Sequence, residues 1–191
     1  MDYSDLSPEM VEAYAASQAP QQLTSECTDD SVIIMPLQNA IEKHPELVKP
    51  YLFKIMGASH KFAELHRAFW SQVTFIYIPS QTELDEPIII KKNAAGSNIN
   101  HTLIVADDAS AATIIEIADE TQATSTNTIT DSAQTQSFVS NATEIIAKAN
   151  SNIKFIAVQN YSQNTFHFDY KNAEVDQDAQ VHWHDCCLGS T

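Results

Sequence analysis

At Val73 the spacing of apolar residues changes from about 3.6 to about 2, and this shift limits what the chain can fold into. VTFIYIP alternates, is rich in β-branched and aromatic residues, and is stopped by Pro79. Seven more short runs follow: PIIIKK, HTLIVA, ATIIEIA, ATEIIAK, NIKFIAVQ, TFHFDY and QVHWHD. A sequence made of many short apolar runs with polar corners stacks or pairs strands; it does not bundle helices. From 73 to 191 we therefore expect a mainly β region. Between Thr121 and Ser137 lies TQATSTNTITDSAQTQS, which has no core pattern and reads as an exposed inserted loop at about 121–137.

Residues 1–72 read differently, as a small and mainly helical N-terminal region. Ser7, Pro8 and Glu9 make a helix start, with a hydroxyl cap followed by proline where a missing N–H costs nothing. A second start lies near Pro36, with Leu37, Ala40 and Ile41 at helical spacing, and Pro45 and Pro50 interrupt it. KFAELHRAFW places Phe62, Leu65, Ala68 and Phe69 on one apolar face and His66 on the polar side. His44 and His60 read as helix-boundary residues.

The strand region carries a weak internal repeat. IVADDASAATIIE, IIAKANSNIKFIA and KNAEVDQDAQVHW each have an alanine, a polar turn and then alternating apolar positions. The shared alanines are Ala106, Ala147 and Ala173, spaced by 41 and 26 residues. Repeated short strands with polar corners point to a stacked β architecture: a parallel β-helix or solenoid first, a sandwich second. Asp107 and Asp108 fall at one such corner, where aspartate bonds its own backbone, and are not read as a catalytic dyad.

Composition excludes several classes of function. With 191 residues, 43% of them apolar, the protein has room for one domain with a core. A formal charge of −15 repels nucleic-acid phosphates and anionic lipid, so neither is expected as a partner. No apolar run approaches the roughly 20 residues of a membrane span, and MDYSDLSPEM lacks the regions of a secretory signal. A cytoplasmic protein is expected. Three cysteines, Cys27, Cys186 and Cys187, make a poor disulfide framework. No phosphate-binding glycine loop and no nucleophile elbow is present, so any nucleotide energy would come from a partner.

One stretch is dense in ligand-type residues: VHWHDCC, Val181 to Cys187. In a strand, Val181 and Trp183 would face the core while His182 and His184 point outward together. Imidazoles two apart can share a metal, and thiolates are good ligands for zinc or iron. One reading is a metal site of His182, His184, Cys186 and Cys187. The other is an outer strand face on which sequence drifts freely; the spacing matches no well-specified zinc pattern. If Phe166 and Phe168 face inward, His167 faces outward with Asp169, one turn from His182 and His184. Cys27, in an acidic loop without a basic neighbour, reads as an incidental free thiol.

Four stretches in order resemble the SufB/SufD family of iron–sulfur cluster assembly scaffolds. AIEKHPELVKPYLFKIM with KFAELHRAFWSQVTFIYIP looks like the family's N-terminal segment. HTLIVADDASAATIIE looks like a core rung, and ATEIIAKANSNIKFIAVQNYS like the next rungs, with a V-Q-N signature at Val158, Gln159 and Asn160. KNAEVDQDAQVHWHDCCLGST looks like the rung that follows. The likeness covers about 36–191 outside the Thr-rich loop.

The resemblance implies a right-handed parallel β-helix, here partial, behind a helical region. It also implies a non-catalytic scaffold that works with an ABC-type ATPase, SufC. A SufB-like or SufD-like paralogue, or a second copy, would be its other partner. A transient iron–sulfur cluster or iron would be held at a subunit interface. The sequence breaks with the family pattern in two places. It ends at Thr191 where the family's β-helix would continue, so a fragment or a truncated, C-terminally shortened form is expected, marginally stable or paired. And after Lys171, Asn172, Ala173 and Glu174, where the B-type subunit has a functional cysteine, stands Val175, which implies a D-like member. The alternative to the scaffold is a small metal-binding protein using His182, His184, Cys186 and Cys187; a third reading is a β-solenoid interaction module without metal.

Overall fold

Each apolar run after Val73 is a strand. A computed structural model describes residues 24–57, 61–70, 72–93, 97–119 and 137–189. Along these the order is β1 (Thr24–Glu26), β2 (Ile33–Pro36), α1 (Leu37–Lys43), α2 (Pro45–Val48), α3 (Lys61–Phe69), β3 (Gln72–Ile78) and β4 (Ile88–Asn93). Then come β5 (Asn98–Ala106), β6 (Ala111–Asp119), β7 (Ser137–Ala147), β8 (Asn152–Asn160), β9 (Thr165–Val175) and β10 (Gln180–Cys187). The helix start expected at Ser7, His60, and the Thr-rich stretch up to Gln136 lie outside the described residues.

The strands form two five-stranded sheets. The first runs β1-β4-β6-β8-β10 and the second β2-β3-β5-β7-β9. From β3 onward, consecutive strands alternate between the sheets. Parallel neighbours cannot be joined by a tight hairpin and need a crossover; here the crossover is a strand of the other sheet. Among the described strands only β1–β4 and β2–β3 pair antiparallel, and the six other pairings are parallel.

The corners between the sheets stack on one another. The N–H of Asp107 donates to Ile78 O at 3.0 Å, Lys148 N–H to Ala106 O at 2.9 Å, and Asp176 N–H to Ala147 O at 2.9 Å. One residue in each corner is left-handed: Gln81 (φ 62°), Ala109 (φ 55°), Asn150 (φ 60°) and Asp178 (φ 56°). The first three also send their N–H groups to the neighbouring corner: Gln81 to Asp108 O, Ala109 to Ala149 O and Asn150 to Gln177 O, at 2.8–3.0 Å. These corner residues lie 28, 41 and 28 residues apart. Asn and Asp tolerate this conformation through local hydrogen bonds, whereas alanine has no such compensation.

The registers correct the repeat. Ala106 pairs with Ala147, but Ala147 pairs with Val175, while Ala173 sits beside Ile145. The alignment through Ala173 is two residues out. A two-residue slip keeps every side chain on its own face, so alternation alone cannot detect it.

Between the sheets the side chains form columns. Ile76, Ile104, Ile145 and Ala173 make one, and Ile114, Phe155 and Trp183 another; these and their neighbours build the main apolar core. The outer face of the second sheet is covered by the helices. Leu37, Ala40 and Val48 pack on Phe75, Leu103, Val105 and Ile146. Phe62 and Leu65 of α3 pack against Ile99, Phe138, Phe166 and Phe168. β5 is therefore buried on both faces, whereas β6 and β8 alternate.

α1 begins after Pro36 as expected, and His44 ends it by donating its N–H to Ala40 O at 2.8 Å. α3 is rotated from expectation. It buries Phe62, Ala63, Leu65 and His66, leaving Ala68 exposed and Phe69 half exposed. His66 is fully buried, not on a polar side, because Ser140 and His101 of the sheet below supply it with partners.

Ala109 in its left-handed corner carries a strain of about 1–2 kcal/mol that glycine would relieve, against about 0.5–1 kcal/mol of extra chain entropy. Ala109→Gly is expected to stabilise the protein by up to about 1 kcal/mol. The urea midpoint would rise with the slope unchanged; a fall would show that the corner is not strained.

Candidate functional site

β10 places VHWHDCC as alternation requires. It pairs with β8 from Gln180↔Asn152 to Cys187↔Gln159. Val181 and Trp183 pack on the core, and Trp183 meets the Phe155 ring edge-on at 5.4 Å. His182, His184 and Cys186 therefore share the outer face of the first sheet, and all three are exposed. Cys187 belongs to the opposite face, with Asp185. His182 Nε2 lies 3.3 Å from Gln180 Oε1. Cys27, Cys186 and Cys187 are free and exposed. Among the described residues no three His, Cys, Asp or Glu side chains come together in a group that could hold a metal ion.

His167 corrects an expectation. Its neighbours Phe166 and Phe168 turn outward, onto α3, where Phe168 stacks on Phe62 at 4.2 Å. His167 thus lies between the sheets, with Nε2 3.0 Å from Asn141 Nδ2 and its ring 4.6 Å from Tyr161. Burial lowers its pKa, Asp169 opposing and Lys171 adding to the effect. The reason for the reversal is that α3 offers the phenyl rings an apolar partner outside the sheet, which the strand's own pattern does not reveal.

The half of the interior farther from the stacked corners is polar. Thr74, Thr102 and Thr143 form one column of the second sheet, and Asn100 and Asn141 the next. Asn100 Nδ2 donates to Asn141 Oδ1 at 2.9 Å, and Asn141 Nδ2 to the Tyr161 hydroxyl at 3.1 Å. From the first sheet, Lys92 and Glu116 pair at 2.7 Å with both side chains almost fully buried, and Thr102 Oγ1 donates to Glu116 Oε2 at 3.2 Å. Thr143 Oγ1 and Gln159 Oε1, also buried here, have no hydrogen-bond partner among the described residues. Nearer β10, Lys171 joins Asp169 and reaches Asp185 at 2.9 Å. Burial works against its charge, but the two carboxylates hold the ammonium above the usual lysine range.

This polar interior is a run of donors, acceptors and paired charges packed between the two sheets. Sequence reading missed Lys92, Glu116, Asn100, Asn141 and Thr143. The available signal was like residues recurring at the turn spacing, as in Asn100 and Asn141 or Thr102 and Thr143, both 41 apart.

Removing one member of a buried ion pair leaves an uncompensated charge, at a cost of about 3–5 kcal/mol, whereas replacing both by apolar residues is often neutral. Lys92→Met is expected to lower stability by that amount, and Lys92→Met with Glu116→Leu to recover most of it. Chemical denaturation of the two variants checks this; equal losses would show that the pair is hydrated and not desolvated.

The sequence is similar to known proteins along nearly all of its length. A family model for the SufBD core domain of the SUF system for FeS cluster assembly matches residues 88–191, and one for the SufBD N-terminal region matches residues 4–90. Curated relatives are iron–sulfur cluster assembly SufBD family proteins. One from Staphylococcus haemolyticus is 26% identical over 96% of this chain, and one from Staphylococcus aureus strain MRSA252 is 27% identical over the same share. One from Staphylococcus epidermidis is 25% identical. The chain spans 40% of the length of each of these relatives. The core-domain match covers more than half of the chain and takes in β4 to β10, so the chain belongs to the SufBD family.

Proposed function

We propose that this chain is part of a scaffold subunit for iron–sulfur cluster assembly. It acts with an ABC-type ATPase of the SufC kind and a paralogous SufB-like or SufD-like subunit, or a second copy of itself. The observation that carries this reading is that the N-terminal and core SufBD matches together run from residue 4 to residue 191. Two features support it. From β3 onward the strands alternate between two sheets in parallel pairings, with corner spacings of 28, 41 and 28 residues, which suits a right-handed parallel β-helix with its helical region packed on one side. Several interior polar groups bond to one another across the sheets, as Asn100 does with Asn141 and Thr102 with Glu116, which suits a rigid frame. In this reading iron and sulfur are cargo, assembled at an interface between subunits, and ATP is hydrolysed by the partner. Val175 at the position of the B-type cysteine favours a D-like role. No helix among the described residues is long and apolar enough to cross a membrane.

Anaerobic purification of the tagged protein from its native host tests the proposal. An ABC-type ATPase and a paralogous β-rich subunit should co-purify in stoichiometric amounts. Recovery of the protein by itself, with neither partner at any salt concentration, would overturn it.

A second reading is favoured by one observation: His182, His184 and Cys186 share one exposed face. In this reading they supply part of a metal's ligand set, and the remaining ligands come from another subunit. Zinc or ferrous iron titrated into the protein should bind with one equivalent and be lost in His182→Ala and in Cys186→Ser. Binding unchanged in both variants would dismiss this face as a metal site.

A further inference from the structure

α3 is held to the second sheet by a continuous series of hydrogen bonds. Ser140 Oγ lies 2.9 Å from His66 Nδ1, His66 Nε2 lies 3.2 Å from His101 Nδ1, and His101 Nε2 lies 3.0 Å from Glu144 Oε2. Glu144 also accepts the backbone N–H groups of Phe53 at 2.8 Å, Ile55 at 3.0 Å and Met56 at 2.8 Å. His66 and Glu144 are fully buried, and His101 and Ser140 nearly so. The order serine, histidine, histidine, carboxylate resembles a nucleophile relay, but no substrate reaches a hydroxyl buried under a helix. Instead, the four side chains tie α3, the 53–56 loop, β5 and β7 together.

These bonds can run in two directions. In the neutral form Ser140 donates to His66, His66 Nε2–H donates to His101 Nδ1, and His101 Nε2–H donates to Glu144. With one more proton, His101 carries two: it still donates to Glu144, now donates from Nδ1 to His66 Nε2, and His66 Nδ1–H donates to Ser140. No hydrogen bond is lost, and the carboxylate compensates the charge. A second proton finds no such place. It would sit on His66, donor facing donor across 3.2 Å, in a site closed to water. The groups around His66 offer little relief: His101 on β5, Ser140 and Glu144 on β7, the Tyr170 ring at 6.3 Å on β9, Lys92 on β4, and Glu64 and Arg67 on α3 itself. Glu144 is already saturated with donors. Burial, which raises its pKa, is outweighed by His101 and the Met56 and Ile55 amides, so it stays below the usual carboxylate range.

We propose that Ser140, His66, His101 and Glu144 form a proton-operated latch: a proton on His66, which the closed series of hydrogen bonds cannot accommodate, releases α3 and the 53–56 loop from the sheet. Release uncovers the apolar strip of Ile99, Phe138, Phe166 and Phe168 that Phe62 and Leu65 now cover. Burial first, then His101 and Lys92, push the His66 pKa from 6.5 down to about 3 in the closed state. A folded pKa depressed in this way means that the latch is fully closed above pH 6.5. Below it, opening rises about tenfold per pH unit until about pH 3. At pH 5 the open population is about thirtyfold that at pH 8.

Amide hydrogen exchange on the intact protein between pH 8 and pH 5, corrected for intrinsic rates, tests the latch. Protection of Phe53, Ile55, Met56 and the α3 amides should fall about thirtyfold, while Ile104 and Ile145 in the core strands keep theirs. His66→Gln, which retains a donor and an acceptor but no titratable proton, should abolish the pH dependence. Protection of the loop and α3 that is the same at both pH values, core strands that open in step with α3, or a variant that keeps the dependence would each overturn the proposal. Should His66→Gln fail to fold, the imidazole resonances of His66 in the native protein decide. A ring that stays neutral in the closed protein at pH 5 supports the latch, and a midpoint near 6.5 overturns it.

Discussion

The structure depends on one repeated backbone bond: the N–H that leaves a strand at a corner donates to the carbonyl at the same place one turn earlier. Ile78, Ala106 and Ala147 each accept such a bond. Because the bond can form only when successive turns are in register, it sets which side chains stack. Once Ala106 sits over Ala147, Thr102 must sit over Thr143 and Asn100 over Asn141. The apolar and polar columns follow from that register, and so does the even outer surface on which the helices lie.

The interior so produced is divided, not uniformly oily. Near the corners, isoleucine, alanine and phenylalanine fill the space between the sheets. Farther away, Thr, Asn and the Lys92–Glu116 pair occupy it. Stacking the Asn100 and Asn141 amides pairs polar groups that would be costly to bury singly. The arrangement suits a repeating fold, since each new turn brings the partner that the previous turn needs.

Much of this is legible in the residues. The eight strands from β3 to β10 announce themselves through β-branched alternation, because the pleat forces a period of two whatever lies around it. The outward direction of His182 and His184 follows from the same rule. What stays hidden is whatever depends on a neighbour far along the sequence. The slip at Ala173 preserves facing and so leaves no trace in the pattern. His167 and His66 both fall on the wrong side for one reason: a strand or helix taken alone does not show that α3 and the second sheet bury each other. His66 looks polar on a helical wheel, yet Ser140, 74 residues later, makes it a core residue. The polar chamber could be anticipated only by searching for like residues at the turn spacing, a weaker signal than hydrophobicity.

One turn, from Ala109 to Asn150, is 13 residues longer than its neighbours, yet the registers on either side of it continue without a break. The surplus falls in sequence between Asp119 and Ser137, the strand ends farthest from the stacked corners. That flank works like the fore-edge of a bound book: the spine fixes page order, and one leaf can be wider without disturbing the rest. Extra length at that edge therefore leaves the register of both sheets unchanged.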